Sequence, residues 1–94
     1  MTKQIPLDFD KVEVLRKHML LNVKQLSEVI GVSRVTYYGW LKGKKVRQTN
    51  DYKVRKALKL LLEVIKEHDW PSQVKSLSSE ERYERLRELI GDND

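Results

Sequence analysis

Ser33, Arg34, Val35, Thr36, Tyr38 and Gly39 fall within seven consecutive positions, and Lys42, Lys44, Lys45 and Arg47 occupy four of the next eight. Together they supply two hydroxyls, a guanidinium fork, a branched methyl tip, a phenol and a row of ammonium ions. Such groups make hydrogen bonds and ion pairs; none is a nucleophile with a base beside it. The rest of the chain offers no bond-breaking set. It has no cysteine, hence no thiolate nucleophile, thiolate ligand or disulfide. His18 and His68 are its two histidines, and Glu67, His68 and Asp69 are consecutive, so on a helix they point in different directions. No glycine-rich phosphate loop is present, and 94 residues leave little room for a closed active site. The expectation is a non-enzymatic binding protein with no catalytic residue, no metal site and no cofactor.

The charge is uneven. The net value is +5, but over residues 23–59 ten Lys/Arg face only Glu28 and Asp51, a local +8, whereas residues 60–94 carry −4. A positive field confined to one region of a small domain points to a polyanion, most often nucleic acid. A hydrophobic fraction of 39% is enough for one small core. No run approaches the ~20 apolar residues of a membrane-spanning helix. The start, MTKQIPLDFD, lacks the basic-then-apolar pattern of a signal peptide. A soluble cytoplasmic protein with no membrane partner is expected.

No alternating strand pattern of useful length occurs, so the chain reads as all-α, a compact bundle of about five helices. Residues 1–9 read as an N-terminal arm, 10–70 as the main domain and 71–94 as a C-terminal helical extension able to serve in dimerisation. The first helix is expected over Lys11–Leu20, with Asp10 and Glu13 at capping-box spacing. The second runs over Val23–Ile30, opened by Asn22 and closed by Gly31. The third restarts at the N-cap Ser33. Its inward set is Tyr37, Trp40 and Leu41, leaving Arg34, Val35, Tyr38, Gly39 and Lys42 outward. Gly39 in mid-helix costs about 1 kcal/mol against alanine; something must offset that cost, and a close approach to another surface is one candidate. Residues 43–50, GKKVRQTN, form a basic loop. A fourth helix spans Asp51–Glu67, capped by Thr49 or Asn50, and is apolar nearly all round, hence central or shared with a second subunit. Trp70-Pro71 ends it. A last amphipathic helix covers Ser79–Ile90, with Ser78 and Glu81 as a capping box and Tyr83, Leu86, Leu89 and Ile90 inward.

Two short helices joined by a glycine turn, the second carrying small polar groups outside and bulky apolar groups inside, form a helix-turn-helix. A B-DNA major groove about 12 Å wide admits one such helix. The run LRKHMLLNVKQLSEVIGVSRVTYYGWLKGK resembles the phage-repressor and Cro-like, or XRE-type, helix-turn-helix domains, the lambda-repressor-like fold. Leu15-Arg16-Lys17, Leu21, Leu26, Glu28, Gly31-Val32-Ser33-Arg34, Thr36, Trp40 and Gly43 carry the match, which covers roughly residues 11–65. The chain departs from the family at Leu20, where glycine is frequent, and at Val23, where a phosphate-binding glutamine is common. It also departs in its single long fourth helix.

The resemblance implies a sequence-specific regulator of phage or bacterial type that binds double-stranded DNA as a homodimer, in the cytoplasm of a bacterial or phage-infected cell. It places base-edge contacts at Arg34, Val35, Tyr38 and Gly39. It places backbone contacts at Lys24, Ser33, Thr36, Lys42, Lys44, Lys45 and Arg47. Arg34 would take a guanine edge, Val35 a thymine methyl, and the amides opening helices two and three would favour phosphate. SRVTYYGWLKG is also similar to the motif of small terminase subunits and excisionases, DNA-recognition accessories that recruit an enzyme. The acidic C-terminal segment fits an antitoxin. A third reading is a protein-interaction module that uses the fourth and last helices.

Overall fold

In the computed structural model, residues 7–91 are described. They form α1 (Phe9–His18), α2 (Val23–Ile30), α3 (Arg34–Leu41), α4 (Gln48–His68), a single 3-10 turn (Ser72–Val74) and α5 (Ser79–Gly91). Among these residues there is no strand. The fold is the expected all-α bundle, with α4 long and α5 C-terminal.

The local reasons are mostly side-chain caps. Asn22 accepts from the Gln25 amide while the Gln25 side chain accepts from the Asn22 amide, a reciprocal capping box that opens α2. Gly31 closes α2 at φ 93°, a left-handed backbone that favours glycine. Ser33 Oγ accepts from the Thr36 amide and opens α3. Ser78 and Glu81 make their expected capping box at the start of α5, and the bonds from Ser78 hold the Glu81 carboxyl below its ordinary range.

Four expectations are corrected. α1 starts at Phe9, not Lys11, because Asp8 is its cap and accepts from the Asp10 amide; Asp10 lies in the first turn. The arm expected over 1–9 is therefore shortened. Leu7 and Phe9 pack on the core, and residues 1–6 lie outside the described residues, as does the C-terminal 92–94. α4 starts at Gln48 with Arg47 in the cap position and no side-chain cap, so Thr49 and Asn50 are inside the helix and the basic loop is shorter. Leu41 is 41% exposed; the one-turn spacing that made it look inward brings it to the solvent edge of α3. α5 ends at Gly91, one residue past the expected end at Ile90.

One core serves the whole molecule. Val12 and Met19 of the α1 region, Leu26 and Ile30 of α2, Tyr37 and Trp40 of α3, and Val54, Ala57, Leu61 and Val64 of α4 are buried together. Val74, Leu86, Leu89 and Ile90 complete it, so residues 71–91 pack with the helices before them. The apolar excess of α4 is spent largely inside the chain: Leu58, Leu60 and Ile65 pack against the core, while Leu62 and Tyr52 stay exposed. Trp70, 3% exposed, donates its indole N–H to the Met19 carbonyl at 2.9 Å and joins the end of α4 to the corner between α1 and α2. At the other face, buried Gln25 donates to the Ser79 carbonyl and hydroxyl. The Tyr83 hydroxyl donates to Glu28; burial, reinforced by that carboxylate, pushes the phenol up to about 12.

Leu20 has φ 63° where the resembling family carries glycine. A branched side chain there costs about 1–2 kcal/mol. Leu20→Gly is expected to raise stability by about 0.5–1 kcal/mol, relief of strain outweighing the added freedom of the unfolded chain. Urea unfolding with an unchanged m value checks it; a loss of stability would mean that the packing of the half-exposed leucine outweighs its backbone.

Candidate nucleic-acid interface

α3 is held from behind. Phe9 stacks edge-on against Tyr37 (centroids 5.2 Å apart) and against Trp40 (5.7 Å), and Tyr37 meets Trp40 at 5.7 Å. Edge-to-face contacts of this kind are directional as well as apolar. The Tyr37 hydroxyl donates to Glu13 at 2.6 Å. Glu13 also accepts two bonds at 2.8 Å from Arg16, and Arg16 donates to the Leu21 carbonyl at 3.0 Å. The guanidinium holds the Glu13 carboxyl below its usual range; burial and Glu13 push the Tyr37 phenol up. This chain of bonds ties α3 to α1 and to the turn before α2, so the orientation of α3 is fixed by its buried side.

Its other side is free. Val35 is 81% exposed and Tyr38 49%; Arg34, Ser33 and Lys42 are exposed too. Val35, Thr36 and Gly39 line one groove together with Lys44, Lys45, Arg47, Trp40 and Asn50. No carboxylate lines it. The structure thus brings together six of the eleven residues the sequence pointed to. Arg34, Tyr38 and Lys42 lie on α3 or its C-cap without lining the groove, and Ser33 is the α3 cap.

One of the eleven lies apart from the rest. Lys24 lines a separate groove with Glu28, Glu80 and Glu84. The start of α2 is therefore beside carboxylates of α5, and Gln25 is engaged by Ser79, which lowers the appeal of this helix end to an anion. Gly39 has its close neighbour within the chain. A Cβ there would stand 3.1 Å from Lys44 Cδ, and the Lys44 amide donates to the Gly39 carbonyl at 2.9 Å. The lysine stem lies close over the glycine, and a side chain there would have to push that stem aside.

Ser33 and Thr36 share a hydroxyl bond at 3.0 Å, and the Thr36 amide is taken by Ser33. The first-turn amides of α3 have no acceptor inside the helix by its geometry. Thr36 being bonded to Ser33, the amides of Arg34 and Val35 are the ones left open to an acceptor from outside the helix. Lys44 and Trp40 also line a second groove, whose other residues include Asp8, Asp10 and Glu13. The positive strip is therefore bounded by acid on that flank. Asn50 was missed as a site residue because its type and position fit a cap equally well; its place directly after the basic run was the one available signal.

No family model, curated protein or solved structure matches this chain. Among the described residues no helix is long and apolar enough to cross a membrane.

Proposed function

We propose that this protein binds double-stranded DNA in a sequence-dependent way, with α3 in the major groove, and acts in the cytoplasm as a regulator of the phage-repressor or Cro-like kind rather than as an enzyme. One observation carries the reading: an eight-residue helix whose outward groups, Arg34, Val35 and Tyr38, are exposed beside a carboxylate-free groove lined by Lys44, Lys45 and Arg47. The bound duplex sits against Val35, Thr36 and Gly39, flanked by the basic loop and turned from the acidic α1 groove. Phosphate contacts by Ser33, Thr36, Lys44, Lys45 and Arg47 set the register, with Lys42 in support. Arg34 and Val35 carry the reading of base edges, Tyr38 packing on sugar or base beside them. Gly39 contributes a surface without a side chain. Lys24 has the weakest place in this scheme, given its acidic neighbours.

Selection from random duplexes tests specificity and symmetry at once. A preferred two-fold site with half-sites about 34 Å apart reports a homodimer; a single half-site reports a monomer; no enriched sequence removes the specificity. Repeating the selection with Arg34→Ala is expected to relax one base pair per half-site at a cost of about 1–3 kcal/mol there, with the other positions kept. A uniform loss over all sequences would move Arg34 to the phosphate contacts.

A further inference from the structure

The groove lined by the end of α2, by α4 and by the end of α5 is not used by this scheme and shares no residue with the α3 groove. Its aliphatic lining is Val29, Ile30, Ala57, Leu60 and Ile90; its cations are Lys53, Lys56 and Arg87; no carboxylate takes part. The ion pairs found use Arg16, Arg55 and Arg85, so these three cations have no acidic partner among the described residues. Lys53 donates to the Gly31 carbonyl at 3.5 Å, and Arg87 lies near the Tyr83 hydroxyl. Tyr52, 69% exposed, adds an aromatic face to the same groove.

We propose that this groove is a docking site for an acidic peptide segment of a partner protein, anchored by an aliphatic side chain. The three cations, without a carboxylate partner among the described residues, call for carboxylates, because opposite charges across an interface steer the encounter and fix the register. The apolar residues between them call for an alkyl group, which removes them from water. A DNA duplex satisfies only the first demand: its outer surface is phosphate and sugar, with no alkyl side chain to place in a concavity between helices. An acidic peptide satisfies both, in the manner of a segment whose apolar residues enter a groove while its charges stay on the rim. Because the two grooves are separate, the partner can be held while α3 stays uncovered. The proposal stands apart from the DNA reading and survives its failure.

The test uses the full chain, labelled with 15N, and two synthetic peptides of Glu and Asp that differ in carrying two leucines or two alanines one helical turn apart. The leucine peptide is expected to shift the amides of Gly31, Ala57 and Ile90 and to leave Val35 and Gly39 in place. The alanine peptide should bind about tenfold more weakly or worse, as expected for losing a buried leucine. Lys56→Glu combined with Arg87→Glu, both at exposed positions, should weaken the leucine peptide by about tenfold or more, with the rest of the amide spectrum keeping its folded dispersion. Equal binding of the two peptides, absence of binding, or shifts centred on α3 would overturn the proposal. So would a duplex that shifts Gly31, Ala57 and Ile90, which would make the groove a nucleic-acid surface.

Discussion

Replacing Lys44, Lys45 and Arg47 together by glutamate is expected to reduce DNA affinity by about 10²–10³-fold near 0.1 M salt and to flatten the log–log salt slope by about 2.7, the contribution of three phosphate contacts at 0.9 each. The loss should be the same for every sequence if, as proposed, these side chains meet phosphate and not bases. All three are exposed, and an acidic group at the Arg47 cap position suits the positive end of α4. The thermal midpoint should therefore stay near that of the parent. Fluorescence anisotropy over a salt series, on the selected duplex and on an unrelated one, gives slope and affinity together. An unchanged slope would remove the loop from the interface, and with it the carboxylate-free groove as the duplex's seat.

Trp70→Ala is expected to cost about 3–5 kcal/mol, the usual range for emptying a buried tryptophan site. A domain of this length has a total stability of about 5–15 kcal/mol, so the variant should lose much of its margin and unfold at far lower urea. The indole fills the space where the end of α4 meets the corner between α1 and α2, and its N–H is the donor to the Met19 carbonyl. Trp70→Phe separates the two roles. It keeps most of the apolar bulk but leaves that carbonyl without its donor, at a cost of about 1–3 kcal/mol. Alanine should hurt more than phenylalanine, and both more than any exposed substitution in α5. A cost below about 1 kcal/mol for Trp70→Ala would mean that the corner closes without its indole.

The parts of the fold that could be read from the sequence are those governed by neighbours in the chain. Asn22, Ser33 and Ser78 act within four residues of themselves, and Gly31 needs only its own backbone; each was legible, and the bounds of α2 followed to the residue. The spacing of Tyr37 and Trp40 gave the buried side of α3 for the same reason. What was not legible depends on distant partners. The bonds from Gln25 to Ser79 and from Tyr83 to Glu28 join positions more than fifty residues apart. Nothing local tells a capping glutamine from one that also bridges two helices. Phe9 looked like part of a loose arm because its two ring partners come from α3. Asp8 and Asp10 are equally good caps by type, and the choice between them is made by where Phe9 has to pack.

The candidate site divides along the same line. The composition of the α3 face and of the basic loop was plain, and so was their adjacency. That α5 would bring Glu80 and Glu84 beside Lys24 was not, because it depends on how the last helix lies on α2. At Gly39 the close neighbour comes from five residues downstream in the same chain, which the helical spacing alone does not reveal.

The lysine stem that lies over Gly39 couples two positions. A Cβ introduced at 39 would stand 3.1 Å from Lys44 Cδ, so the exposed stem has to give by a few tenths of an ångström, and a longer side chain has to push it further. Trimming 44 makes that room and removes a positive group beside the helix. If α3 reads DNA as proposed, a change at 39 is therefore felt together with its neighbour, and a library that randomises both codons samples combinations that randomising one at a time leaves out.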